Sequence, residues 1–285
     1  MIKIKAFYVK EDDKPNKLKR AFGIVKESND EIIIQKNLTD KRIIKVANKI
    51  NKICKKRNVK NVVLSKTITN KQNLENALIS NEIIIFDGRW LFSYMAYEII
   101  DFIIKKTNKI KEETEITILC NFISDEVIEN IKMFVTKFKR INIVTNHMHD
   151  FKKLEKSFYD EYGVVITITN NKKKSLAKAK IILNFDFVKE VLNKYSIYEQ
   201  AIIINIEGNI KIDKKRFNGL VVNDYEIFSK RAEEYFNVER IKEFNLKDLL
   251  EARLYRKDSF INIRQDITKG NYKIKELYGN NGKLF

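Results

Sequence analysis

At 285 residues the chain is long enough for two domains with separate cores. Its 44% apolar and 11% aromatic residues can fill them, which excludes global disorder. A formal net charge of +18 would suit a nucleic acid or an acidic membrane surface. The excess is mostly lysine, however, and runs through the chain beside abundant Ile and Asn, the pattern of an AT-rich coding bias. Dispersed charge is therefore the favoured account.

The densest basic runs, KICKKR at Lys52 to Arg57 and NKKK at Asn171 to Lys174, are short. Cys54 and Cys120 are too few and too far apart for a disulfide framework or a Cys-rich zinc site, which implies a reducing, cytoplasmic setting. The start, MIKIKAFYVKEDDK, alternates and carries charges, so no signal peptide is expected. The most apolar stretch, WLFSYMAYEIIDFIIKK from Trp90, contains Glu98 and Asp101 and is too short to cross a bilayer comfortably. It reads as a buried helix, and no membrane span is expected.

Pro15 is the only proline and glycines are few, so no linker marks a boundary. KIKAFYVK (Lys3 to Lys10), FGIVK (Phe22 to Lys26) and EIIIQK (Glu31 to Lys36) are short β-rich runs that predict a small antiparallel meander. A helix follows, capped by Thr39 and Asp40, with Ile43, Ile44, Val46, Ala47, Ile50 and Ile53 at helical spacing as far as Cys54. Next come a strand NVVLSK at Asn61, a helix around Asn73 to Leu78, a strand EIIIFDG at Glu82, and a long apolar helix from Arg89 to about Asn108.

The alternation is cleaner in the second half. ITILC (Ile116), INIVT (Ile141), VVITIT (Val164), KIILNF (Lys180) and AIIINI (Ala201) are continuous β-branched runs of the kind buried on both faces. Between them lie helices at Asp125 to Lys139 and Asp150 to Tyr162, a turn SLAKA at Ser175, and a helix FVKEVLNKY at Phe187. This order predicts a doubly wound parallel sheet. After Gly219 a strand LVVND leads to helices near Ser229 to Phe236 and Leu246 to Tyr255, which could fold back on the first domain, and then a polar tail.

Three segments carry a family resemblance. VTNHMHDFKKLEKSFYDEYG from Val144, SLAKAKIILNFD from Ser175 and AIIINIEG from Ala201 resemble the second, fourth and fifth strand regions of the nucleotide-binding domain in the shikimate dehydrogenase and glutamyl-tRNA reductase group. The resemblance covers roughly half the chain and implies a Rossmann-like, NAD(P)-binding architecture. The first turn departs from it. CNFISDE, from Cys120, has no glycine where the group has its glycine-rich turn, and the first half offers no convincing match to that group's proton-handling Lys and Asp pair or nucleophilic Cys.

Glycines in such a turn let the backbone bend tightly and approach a pyrophosphate held at the helix N-terminus. Here Phe122 and Ile123 bring bulk, Ser124 suits an N-cap, and Asp125 and Glu126 in the first helical turn would repel the phosphates. A turn that serves structure or another ligand is the favoured reading. Any small-molecule ligand should bind at the strand carboxyl ends, where Asn121, Asn146 with His147, Asn170, Asn184 with Asp186, and Glu207 with Gly208 stand. The competing account is that Asn simply favours turns. Asn121, Asn146, His147 and Asn184 are the cofactor-binding candidates.

His147, His149 and Asp150 form an H-x-H-D cluster without an identifiable third ligand, so no metal site is assigned, and Asp150 is expected to cap a helix. By the resemblance, this loop surrounds the adenosine ribose, and His147 with Lys152 or Lys153 stands where NADP users place an Arg. Asp87, Gly88, Arg89 and Trp90 follow a strand, and Asp87 with Arg89 could face a polar substrate. A capping Asp and a packed Trp are the plainer alternative.

The expectation is thus a two-domain α/β protein. Residues 1–108 form an N-terminal α/β domain ending in an interdomain helix, 109–225 a Rossmann-like domain, and 226–285 a C-terminal helical segment. The functional expectation is a divergent, noncatalytic member of the resembled group in a bacterial cytoplasm, regulatory or scaffolding, with weakened or lost dinucleotide binding. The alternative is an NADP-dependent oxidoreductase acting on a small metabolite in the interdomain cleft, with Asp87 and Arg89 as the catalytic candidates. No cofactor is assigned outright and NADP is the one to test. Nucleic acid, lacking a recognition motif, ranks last as a partner.

Overall fold

The computed structural model describes residues 6–12, 26–206, 208–213, 217–255 and 259–285. The expectations for Lys3 to Lys5, for Phe22 to Val25 and for Glu207 lie outside the described residues. By its contacts the chain divides into two compact units, Met1–Trp90 with Ser229–Lys257, and Leu91–Phe228 with Asp258–Phe285. The boundaries expected from the sequence lie at 108 and 225. Element order alone does not reveal that residues 229–285 are shared between two units.

In the first unit, strands β1 (Phe7–Glu11), β2 (Lys26–Ser28), β3 (Glu31–Ile34), β4 (Asn61–Leu64) and β5 (Ile84–Phe86) form one sheet in the order β2-β3-β1-β4-β5. The antiparallel meander expected here is corrected. Among the described residues of this sheet only β2 and β3 form a hairpin, and β1 runs parallel to both β3 and β4. Alternation locates strands but does not fix their partners or direction. Helix α1 (Asp40–Lys56) turns Ile43, Val46, Ala47, Ile50 and Cys54 onto one face and packs them against Phe7, Val9, Ile32 and Ile34. Leu74 and Leu78 of α2 (Lys71–Ile79) complete that layer.

The sheet's other face is covered by the returning segment, which supplies α9 (Val238–Glu243) and α10 (Leu246–Leu254). Phe236, Phe244, Leu249 and Ala252 meet Ala6, Val63 and Phe86. The helix expected at Leu246 to Tyr255 therefore folds back on the first unit, whereas Ser229 to Phe236 holds only a 3-10 turn, Ala232–Glu234. Arg240 anchors this layer, with its guanidinium 3.9 Å from the Tyr8 ring centroid and 3.1 Å from Asp30.

In the second unit six strands are all parallel. They are β6 (Glu115–Leu119), β7 (Arg140–Val144), β8 (Thr167–Thr169), β9 (Ile181–Asn184), β10 (Ile202–Asn205) and β11 (Leu220–Val222), in the order β11-β10-β9-β6-β7-β8. That is the doubly wound, Rossmann-like order, with its switch point between β6 and β9. The connecting helices are α5 (Asp125–Val135), α6 (Met148–Tyr162), α7 (Lys172–Leu176) and α8 (Lys189–Leu192). The helix expected from Phe187 shrinks to the single turn α8.

The long helix expected from Arg89 breaks into α3 (Arg89–Tyr94) and α4 (Ala96–Lys106) at Met95, whose N–H is shared between Leu91 O and Phe92 O at 3.1 Å each. No proline or glycine announces the break. The polar tail is also corrected, because α11 (Phe260–Lys269) is followed by an antiparallel sheet of β12 (Asp224–Phe228), β13 (Lys273–Gly279) and β14 (Gly282–Lys283). Among the described residues no helix is long and apolar enough to cross a membrane.

Phe244 is 1% exposed and packs edge-on against Tyr8, whereas Ile44 on the outer face of α1 is 57% exposed. Phe244→Ala is expected to cost about 3 to 5 kcal/mol and Ile44→Ala no more than about 0.5 kcal/mol, as read from urea unfolding.

Candidate functional site

The parallel sheet of the second unit brings its strand carboxyl ends to one rim, and β6 and β9 part their connections there. Where a glycine-rich turn would present main-chain N–H groups to a phosphate, this chain presents them to its own carboxylate. Asp186, two residues beyond β9, accepts from Asn121 N at 2.9 and 2.7 Å, from Phe122 N at 2.9 Å and from Asn121 Nδ2 at 3.2 Å. The turn is closed by an internal anion. Ser124 then caps α5 by accepting from Val127 N, and Asp125 and Glu126 occupy its first turn.

From Asp186 a polar chain crosses the rim. Asn121 Oδ1 accepts from Asn146 N at 3.0 Å, and Asn146 Oδ1 accepts from Lys172 Nζ at the start of α7. Lys172 also lies 5.7 Å from the Phe187 ring centroid. Phe122, 71% exposed, stands 6.2 Å from the His147 ring. His147 takes the cap position of α6 without a side-chain cap bond. Asp150, expected as the cap, lies in the first turn instead. His149, Lys152 and Lys153 are exposed on the same helix. Among the described residues no group of three or more His, Cys, Asp or Glu could hold a metal ion.

Of the residues proposed from sequence, the structure brings Asn121 and Asn146 together and sets His147 beside them. Asn184 is different. It is 1% exposed, its Nδ2 donates to Phe187 O and Asn205 Oδ1, and its Oδ1 accepts from Phe187 N. Asn184 folds its own turn. Cys120, below Asp186, donates to Phe122 O at 2.9 Å, and burial, followed by the Asp186 charge, pushes its thiol far above the usual range. It is held as an unreactive thiol.

A second cluster lies in the first unit, at the end of β5. Asp87 Oδ1 accepts from Arg89 N at 2.9 Å, which is the capping arrangement, and Trp90 packs edge-on against Tyr255 with centroids 5.3 Å apart. Gly88 has φ of +83°, and a Cβ there would lie 2.6 Å from the Lys247 side chain. Around this turn stand Lys71, Glu75 and Asp248, and the charges of Lys71 and Asp87 bear on both Glu75 and Asp248. Asp248 is 2% exposed, with Oδ2 accepting from Asn245 Nδ2 at 3.1 Å and Oδ1 buried without a partner. Burial pushes its acid up to about 7, and Asp87 adds to the rise against the opposing pull of Lys247 and Lys71.

Sequence reading missed Lys71 and Asp248. Lysine is too abundant to single out, and an acid in the first turn of LKDLLEARL reads as ordinary helix-dipole chemistry.

The geometry thus defines an α/β protein with a Rossmann-like second unit whose first turn is internally satisfied. No known family profile matches the chain. No curated protein matches it either. Solved structures similar to it include shikimate 5-dehydrogenase from Listeria monocytogenes, in complex with shikimate and NAD. It is 11% identical, with 94% of this chain and 97% of that one covered and a TM-score of 0.35. L-tryptophan dehydrogenase from Nostoc punctiforme is 9% identical over 93% and 80% of the two chains, with a TM-score of 0.36. Ornithine transcarbamoylase from Giardia lamblia is 11% identical over 71% and 73%, with a TM-score of 0.28. The fold class rests on the strand order and parallel pairing described above, independently of these likenesses.

Asp248 gives a signed pH dependence. Its proton is held to about pH 7 in the folded chain, against an ordinary value of 3.8. The stability from the protonated acid is therefore complete below the unfolded value and lost as pH rises toward the folded one. Asp248→Asn cannot ionise, and thermal melts are expected to show it more stable than the parent at about pH 8 by on the order of 1 to 2 kcal/mol, with the gain gone by about pH 4.

Proposed function

We propose that the protein is a noncatalytic, Rossmann-like regulatory or scaffolding protein whose dinucleotide site is closed by its own Asp186. The observation that carries this reading is the carboxylate held on Asn121 N and Phe122 N, the N–H groups that a pyrophosphate would need. Exposed Phe122 and the first-turn acids Asp125 and Glu126 add bulk and negative charge at the same place. These residues do not fit a dinucleotide pyrophosphate.

The alternative is an NADP-dependent oxidoreductase acting on a small metabolite. One observation favours it, namely the cluster of Lys71, Asp87 and buried Asp248, a carboxyl tuned toward neutrality beside a cation. Asp87 and Arg89 remain its substrate-facing candidates.

Titration with NADPH and NADH separates the two, followed by thermal shift and by energy transfer from Trp90 to the reduced cofactor. The parent chain is expected to show no shift at about millimolar cofactor. A saturable shift would replace the first reading with the second. Asp186→Ala, which frees the turn's N–H groups, is expected to lose about 1 to 3 kcal/mol of stability and to bind inorganic pyrophosphate at least tenfold more tightly than the parent.

A further inference from the structure

Helix α1 is fixed in rotation by its buried stripe of Ile43, Val46, Ala47, Ile50 and Cys54. That orientation leaves Lys41, Arg42, Lys45, Lys49, Lys52, Lys55 and Lys56 exposed. The helix has one acid, Asp40, at its first position, where its carboxylate accepts from Asn73 Nδ2 at 2.9 Å. Among the described residues no carboxylate pairs with Lys41, Arg42, Lys45, Lys52, Lys55 or Lys56.

Lys41 and Lys45, Lys45 and Lys49, and Lys52 and Lys56 stand four residues apart, so like charges face one another along the helix at a cost to its stability. Helix α6 is built differently. There Lys152, Lys153 and Lys156 are interleaved with Asp150, Glu155, Asp160 and Glu161. A coding bias adds lysine everywhere, but it does not strip acids from one face. The dispersed charge inferred from the sequence therefore does not account for α1.

We propose that the outer face of α1 is a docking surface for a nucleic-acid backbone, bound by charge and without sequence preference. Its cations are strung along a helix roughly 25 Å long at 1.5 Å per residue. A nucleic-acid strand offers about one phosphate per 3.4 Å of axis, so the two charge rows match in density. An anionic lipid surface offers the same charge but is the poorer fit. Helices that bind membranes bury an apolar face in the bilayer, and the apolar face of α1 is committed to the core, leaving Ile44 as its exposed large aliphatic. The proposal is independent of the closure of the second unit by Asp186.

The test uses the full chain, with binding of a labelled duplex and a labelled single strand of about 20 nucleotides followed by anisotropy across a salt series. Phosphatidylglycerol vesicles provide a second arm by co-sedimentation. The variant Lys45→Glu/Lys52→Glu/Lys56→Glu is compared with Lys152→Glu/Lys153→Glu/Lys156→Glu, which changes the net charge equally on α6, and circular dichroism confirms that both fold. The α1 variant is expected to weaken nucleic-acid binding at least tenfold and to flatten the salt slope by roughly three, with less than about threefold loss in the α6 variant. Equal weakening by the two variants would show bulk charge alone and overturn the proposal. So would binding of vesicles, but of neither nucleic acid, that is lost in the α1 variant.

Discussion

The Asp186 carboxylate rests on two main-chain N–H groups at the end of β6, and the rim of the second unit is arranged around that contact. An anion is what such a turn requires. Its N–H groups point away from the sheet at the start of a helix, where the dipole favours negative charge and an unmet donor is costly. In a ligand-binding turn the anion arrives from solution, so glycine must clear its path. Here the anion is built in, and Phe122 and Ile123 occupy positions that a glycine-rich turn would leave clear. The missing glycines and the present acid are two sides of one arrangement. Asn121, held from below by Asp186, in turn positions Asn146, and Asn146 holds Lys172.

Asparagine performs two distinct jobs across the molecule. At the ends of β9 and β10 and after β11, Asn184, Asn205 and Asn223 hydrogen-bond main-chain groups a few residues away or in a neighbouring loop, which satisfies donors and acceptors that would otherwise be buried unmet. At Asn29, Asn37, Asn58, Asn70, Asn108 and Asn271 it takes a left-handed backbone that glycine commonly supplies. A chain poor in glycine thus still makes tight turns. Gly88 stays glycine for a further reason, since the Lys247 side chain leaves no room for a Cβ.

Much of the fold was legible because its strands are continuous apolar runs. ITILC, INIVT, KIILNF and AIIINI announce buried parallel strands, and the apolar spacing of Ile43, Val46, Ala47 and Ile50 marks which side of α1 faces the core, although Ile44, read with them from the sequence, is 57% exposed. Strand direction in the first sheet was legible only in part, because β2 pairs antiparallel to β3 as a meander would, whereas β1 lies parallel to β3 and alternation does not encode that direction. KIKELYG alternates too, yet its polar flanks disguised a strand as a tail. In the candidate site, Asn121 and Asn146 could be found from strand ends alone. The role of Asp186 could not, since it depends on the parallel pairing of β6 with β9, which brings together residues 65 apart in sequence.

The division of the chain between its two units has a consequence for how the protein is made. The second unit's parallel sheet is complete once residue 222 has left the ribosome, whereas among the described residues Ala6, Val63 and Phe86 of the first unit meet partners, Phe236, Phe244 and Leu249, that emerge later. The N-terminal strands therefore precede that layer by about 150 residues, a delay of roughly ten to thirty seconds at ordinary elongation rates. During that interval Val63 and Phe86 lack these packing partners, so the strands that carry them are where chaperone protection would matter most.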